Sequence, residues 1–426
     1  MSQTKAQLVD AVDGSIVAAD LAADCVTTDK VANSAITDAK ISALTSSKLT
    51  GALPAISGAS LTDLPASGKA TNLVINGAMQ VAQRTEAIPV TSNTTSGYGS
   101  VDRFAVYHGG TDESPTQTQA DVASGTTPYT LGFRKALRVT NGNQTSGAGS
   151  GKQVNIQFKQ ENQDIAQSGW NYISSSSYVT LSFWVKSSVA QNFYGYFRTK
   201  EGTDYIYPFE TGSLSADTWT KITKTIPGNS NIQFAADNNQ GTEILIGPYL
   251  GTDKTDSGVS LNTWAVYASG TRTPDYTSTW YTTNDATFEI TGVLLEVGDS
   301  ASDYPHETYA ETLTKCERYF QQCRQNIYGM TQDTNARVLW VYPLKTQMRV
   351  EPSVAATSTS YRFGNQVNAA HGVSSFSINR SGYGDNKTID FAPTRSGSGS
   401  STTTFDMQFL EPTAGTDATF QFDAEL

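Results

Sequence analysis

At 426 residues the chain is too long for one ordinary core, and roughly 100–200 residues per domain leads us to expect several units. Only 16% of residues are charged and the net charge is −11, so there is no Lys/Arg surplus to neutralise nucleic-acid phosphates or an anionic membrane. Ser, Thr, Gly, Asn and Gln are plentiful and there are 20 Tyr; aromatic and β-branched side chains suit a half-buried pleated surface while Gly and Asn suit turns, so a mainly β protein is expected. The opening MSQTKAQLVDAVDG lacks the basic head and apolar core of a signal peptide, and no run nears the ~18 apolar residues of a membrane span. Synthesis in a cytoplasm, without membrane insertion, is the expectation. Cys25, Cys316 and Cys323 are too few and wrongly spaced for a disulfide framework or a zinc knuckle, and read as small apolar fillers.

From Ile16 the apolar positions Ile16, Leu21, Val26, Val31, Ile36 and Ile41 recur every five residues. That spacing fits neither the helical nor the strand period, so a lone chain cannot bury the stripe. Units that cannot cover their apolar face stack on neighbours, and three chains around one axis turn these residues into a narrow continuous core. We therefore expect a homotrimeric stalk over 1–68. Its later part, with Lys48-Leu49-Thr50-Gly51, Leu53-Pro54 and Ile56 to Thr62, resembles the stalk repeats of bacteriophage tail fibres. The resemblance implies that the N terminus joins a phage tail protein.

Residues 70–308 hold short aromatic and β-branched runs divided by Gly, Asn, Asp and Ser, as in a sandwich or jelly roll. Strands are expected at 72–77, 101–107, 131–140, 154–159, 178–186, 193–198, 219–226, 243–250 and 286–297. The run YVTLSFWVK alternates, placing Val179, Leu181, Phe183 and Val185 on one face. The opening NLVINGAMQVAQR, the nearby SVDRFAVY and the closing FEITGVLLEVGDSASDYPHETYAETLTKCERYFQ together resemble a carbohydrate-binding-module-like jelly roll of phage tail fibres. In that family the first strand, beginning Asn-Leu, lies beside the last, ending Leu-Glu-Val-Gly.

A connecting helix over 309–326 follows from the capping-box spacing of Thr308 and Glu311 and from Leu313, Cys316, Phe320 and Cys323 on one face. That face could pack on its own domain or meet its copies on a trimer axis. Alternation returns in 327–426, read as a distal β-domain and receptor-binding tip.

The chain has only His108, His306 and His371, none spaced as a metal ligand or backed by a Ser-His-Asp pattern. Hydrolysis of a glycan would need two carboxylates about 5–9.5 Å apart, which sequence cannot locate. Binding a sugar needs an aromatic platform beside polar groups. Candidates in the jelly roll are Trp170, Tyr205, Tyr207, Trp280 and Tyr281, with Trp184 and Trp219 read as core or sheet-face residues. In the distal domain Tyr361, Arg362, Asn379, Arg380, Tyr383 and Asp385 occupy Gly- and Ser-rich stretches read as loops, a paratope-like composition. The jelly-roll resemblance also implies a structural Ca²⁺ held by the first and last strands, with Asp102 and Glu296 as its carboxylates; the other reading gives them surface ion pairs with Arg84 or Arg103. The expected protein is a virion tail-fibre adhesin that binds a host surface polysaccharide of lipopolysaccharide type without catalysis. The alternatives are a virion-associated glycan depolymerase and a purely structural fibre. Replacing Val26, Val31 and Ile36 by Asp should abolish the trimer in light scattering, and a trimeric stalk fragment carrying those changes would refute this stalk.

Overall fold

The structure is a computed structural model that describes residues 71–86, 94–323, 327–331, 338–356, 361–364, 371–381, 388–395, 407–412 and 419–426. The expected stalk, with Ile16, Leu21, Val26, Val31, Ile36 and Ile41, lies outside the described residues, as do Tyr383 and Asp385.

Eleven strands build the jelly-roll unit. In chain order they are β1 (Phe104–Gly109), β2 (Thr116–Asp121), β3 (Lys135–Thr140), β4 (Gln153–Glu161), β5 (Tyr178–Ser187), β6 (Asn192–Thr199), β7 (Tyr205–Ser213), β8 (Thr220–Pro227), β9 (Gln240–Leu250), β10 (Ala265–Val266) and β11 (Thr287–Val297). They form a six-stranded sheet in the order β1-β4-β9-β6-β7-β10 and a five-stranded sheet in the order β2-β3-β11-β5-β8. Every pairing between these strands is antiparallel. Strand β5 shows the reason for the layering: Val179, Leu181, Phe183 and Val185 are each 0% exposed and meet Phe158, Phe197, Phe209 and Ile246 of the facing sheet in one core. The intervening Thr180, Ser182, Trp184 and Lys186 belong to the opposite face. Strand β7 was not among the expected strands; its Pro208 costs little there because the flanking strand β10 has only two residues and asks for few ladder bonds.

The opening and closing segments do meet, as the family resemblance implied. Leu73 N–H donates to Leu295 O at 2.8 Å, and the Asn72 side chain accepts from Leu295 N at 3.0 Å while donating to Val293 O at 2.9 Å. Residues 72–77 form turns instead of the expected strand, since Asn72 also folds back to accept from Val74 N. Gly77 is obligatory here, because a Cβ would stand 2.0 Å from Val293 O.

The expected helix over 309–326 is shorter, spanning Tyr309–Glu317, with the Thr308/Glu311 capping box in place. It buries Thr312, Cys316 and Glu317 within its own chain. Phe320 and Cys323 belong instead to a strand, β12 (Phe320–Cys323), because pairing with the end of the chain outcompetes helical continuation. The remaining strands are β13 (Ile327–Thr331), β14 (Val338–Pro343), β15 (Ser353–Ala356), β16 (Tyr361–Gly364), β17 (His371–Ser381), β18 (Thr388–Arg395), β19 (Met407–Pro412) and β20 (Phe420–Asp423). Six of them close a barrel in the order β13-β14-β18-β17-β16-β19. The other two join β12 in a sheet, β12-β20-β15, in which Cys323 and Ala356 both lie opposite Phe420. The expected distal domain of 327–426 is thus a barrel inserted into a small sheet, and the last residues return to the jelly roll.

That return is held by a buried charge network. Arg103 is 0% exposed and takes a left-handed φ of 72°, unusual for a side chain of its size. Its guanidinium pairs with Glu425 through Nη1, donates to Lys159 O at 2.7 Å, and lies 3.4 Å over the Tyr319 ring. Arg84 contacts Asp423 at 3.0 Å and Glu425 at 3.4 Å, with Asp102 at 3.8 Å and the Phe320 ring at 3.7 Å. Arg349 adds bonds to the carbonyls of Ala424 and Glu425, both 2.9 Å. Breaking a buried pair strands its partners without solvent, so Glu425→Gln should cost about 3–5 kcal/mol in urea unfolding.

Asp102, also 0% exposed, accepts from Gln83 N at 3.0 Å and Gln83 Nε2 at 2.6 Å. Burial outweighs Arg84 and these bonds, and pushes its carboxyl from the ordinary 3.8 up to about 6. The folded chain therefore holds this proton where the unfolded chain has lost it, so stability falls as pH rises through that window. Acidification from pH 7.5 to 5 should raise stability by about 1 kcal/mol per pH unit below 6, and Asp102→Asn should remove the trend.

Candidate functional site

The five-stranded sheet turns its outer face to a groove of about 450 Å³. Its floor carries Ser182 and Trp184 of β5, Leu294 of β11 and Lys221 of β8, and its walls are residues 130–133 and 302–306. The floor follows from strand registry: Trp184 lies opposite Lys221 on one side and Thr291 on the other, while Ser182 lies opposite Leu294 and Thr223. Strand alternation that sends Phe183 inward sends Trp184 to this face, where it remains half-buried.

The walls are shaped by three rings. Phe133, Tyr304 and His306 sit with every pair of centroids 5.0 Å apart, in tilted or edge-to-face contact. Asn72 donates to the Tyr304 hydroxyl at 3.5 Å, so the junction of the first and last strands also supports this wall. The His306 Nε2 bonds to Leu131 O at 2.8 Å, which makes that nitrogen the protonated one. Gly132 has φ +99° and passes so close to His306 that a Cβ would stand 3.0 Å from its ring. On the other side Glu296 accepts from Ser302 N at 2.8 Å and Ser302 Oγ at 2.7 Å, fixing the start of the 302–306 wall.

Above the groove the same sheet face carries a charged row. Glu289 lies opposite both Arg138 and Lys186 and contacts them at 2.8 and 3.0 Å, and Lys186 stands 5.2 Å over the Trp219 ring. These cations are spent on Glu289. The Lys221 side chain is exposed and lines the groove. The lining contains one carboxylate, Asp303.

Most of the sequence-selected aromatics lie elsewhere. Trp170, Tyr207, Trp280 and Tyr281 are all core, at 4% exposure or less, and cannot offer a face to a sugar. Trp170 donates to Ser177 O, Trp280 to Thr287 O, Tyr281 stacks on Tyr249 at 4.5 Å, and Tyr207 packs against Trp264. Tyr205 is half-buried on β7 opposite Val266, on the other sheet. In the barrel, Tyr361 and Arg362 lie on β16 and Asn379 and Arg380 on β17; all four belong to strands, where connections were expected for Tyr361, Arg362 and Arg380 and a strand end for Asn379. Arg362 is registered with Gly372, seven residues from Asn379, a separation of roughly 20 Å along the strand. The structure does not bring them to one place.

Asp102 and Glu296 are each engaged by groups of the protein itself. Asp102 answers to Gln83 and Arg84, and Glu296 to Ser302, in a buried network and a loop cap and not in surface ion pairs. Among the described residues no three His, Cys, Asp or Glu side chains converge as metal ligands.

No protein-family profile matches the sequence, and no curated protein matches it. Solved structures do align with it. The enzymatically active domain of tailspike protein 4 from bacteriophage CBA120 aligns at 13% identity and TM-score 0.28 over 53% of this chain, spanning only 21% of that domain's own length. The N-terminal cellulose-binding domain of β-1,4-glucanase C from Cellulomonas fimi aligns at 11% identity and TM-score 0.25, covering 47% of this chain and 90% of that one. A putative sugar-binding protein from Bacteroides thetaiotaomicron aligns at 10% identity and TM-score 0.26, covering 54% and 100%.

Proposed function

We propose that this chain is a bacteriophage tail-fibre adhesin whose jelly-roll unit binds a host-surface glycan and leaves it intact. The observation that carries the reading is the groove on the five-stranded sheet. A sugar presents apolar C–H faces and hydroxyl edges, and this groove pairs the half-buried rings of Trp184 and Tyr304, backed by the buried Phe133, with Ser302, Lys221 and Asp303. Its single carboxylate favours binding over hydrolysis, since cleavage of a glycosidic bond uses a pair. The tail-fibre assignment draws support from the stalk-repeat and strand-end motifs in the sequence. A trimer would present three such grooves, and linked weak sites gain affinity through effective concentration.

The reading is tested with the full chain against purified host polysaccharide. Saturable binding without new reducing ends is expected, and Trp184→Ala should weaken it by about tenfold, the scale of one aromatic contact, with an unchanged circular dichroism spectrum. Release of reducing ends would replace the adhesin by the depolymerase. Failure to bind any host polysaccharide, together with failure to block phage adsorption, would leave only the structural fibre.

A further inference from the structure

The floor of the groove continues past its own lining into an alternation of rings and ammonium groups. On β5 the outer face carries Trp184 and then Lys186; on the neighbouring segment it carries Lys221 and, just before β8 begins, Trp219. Trp184 lies directly opposite Lys221, and one step on Lys186 lies over the Trp219 ring, its Nζ 5.2 Å from the ring centre. Directly opposed side chains on one sheet face stand about 4.5–5.5 Å apart at Cβ, so each ring has an ammonium group beside it. Both tryptophans pack on the apolar cluster that holds Phe133, which puts the second pair on the same face as the groove.

The charges of this face do not cancel. Arg138 and Lys186 both contact Glu289, which is 2% exposed, so one buried carboxylate answers two cations. Its Oε2 accepts no hydrogen bond among the described residues, so Lys186 is held there by charge alone. Lys221 adds a third cation at the exposed side of the row. Further carboxylates come only towards the two ends of β5. Asp217 N bonds to Ser187 O beyond Lys186, and Asp303 follows Ser302, which is held by Glu296 opposite Thr180. Between those ends three cations and two rings share the face with one carboxylate. On a chain of net charge −11, a local surplus of this kind is where an anion is accepted.

We infer that the glycan bound in this groove is acidic: a sugar ring lies on Trp184, its anionic substituent, carboxylate or phosphate, meets Lys221, and the chain runs on towards Trp219. The inference rests on the glycan reading of the groove and adds the charge of its ligand. Lys186 and Arg138, locked on Glu289, contribute their field and not a direct bond.

A glycan array carrying neutral, carboxylate-bearing and phosphate-bearing chains, probed with the full-length protein, tests this. Binding confined to the acidic members is expected, and the member bound separates the two substituents. For that glycan, Lys221→Gln should lower the affinity about two- to fivefold in titration calorimetry, the scale of an exposed charge contact, and Lys221→Arg should restore it. The gap between the parent and Lys221→Gln should close as NaCl rises from about 0.05 to about 0.5 M, a response to screening that a merely structural lysine does not give. Lys221 is exposed, so both variants keep the fold. Equal or preferred binding of neutral glycans, or an affinity of Lys221→Gln equal to the parent's at low salt, overturns the acidic ligand and leaves the adhesin standing. Binding of no glycan, acidic or neutral, overturns the glycan reading of the groove and this inference with it.

Discussion

Two arginines sealed inside the protein set the terms for everything around them. A guanidinium cannot shed its charge, so Arg84 and Arg103 are tolerable away from water only while carboxylates and ring faces surround them. Glu425 and Asp423 supply the charges, and Phe320 and Tyr319 supply the faces. All four come from the segments that flank the barrel, whereas both arginines come from the start of the jelly roll. Neither part is electrostatically complete without the other, and the barrel must leave and re-enter at adjacent points for the pairing to form. Such a pair adds little net stability over a well-packed apolar substitute, but it permits only one docking arrangement.

Much of the architecture was legible beforehand because strand alternation is a strong local signal. The run Tyr178–Lys186 encodes both faces of β5: every second residue is large and apolar, and the residues between are Thr, Ser and Trp. The contact of Asn72 with the end of β11 followed from family resemblance and not from periodicity, since it depends on a side-chain amide bridging residues more than two hundred positions apart. The helix after Thr308 was read too long for the converse reason. Cys316, Phe320 and Cys323 keep a helical spacing, but Phe320–Cys323 finds a better partner in β20, which no local window contains. Barrel closure between β13 and β19 was invisible for the same reason.

The residues of the groove were harder to find, and the cause is chemical. In a sandwich whose core mixes aromatic with aliphatic side chains, Trp and Tyr in a loop-like stretch can cap the core from its end, as Trp170, Trp280 and Tyr281 do with their polar atoms bonded to backbone carbonyls or a neighbouring amide. The informative pattern was a tryptophan out of phase with the apolar residues. Trp184 shares its face with Thr180 and Ser182, so it is a large ring placed where the strand is otherwise polar. The other half of the groove comes from residues 302–306, after the last strand, and nothing in that segment alone reveals that it folds back beside Phe133.

The pairing of β12 with β20 also sets a schedule for synthesis. Residues 324–419 must be made after β12 and before its partner exists, which at roughly 5–20 residues per second takes on the order of 5–20 s. Throughout that interval the jelly-roll strands are complete, while Arg84 and Arg103 still lack Asp423 and Glu425. The nascent chain therefore carries two arginines short of carboxylates beside Phe320 and Tyr319 until the barrel has been made, and Asp423 and Glu425 then complete their pairing. A chain that stalls within the barrel keeps both arginines without those two carboxylates.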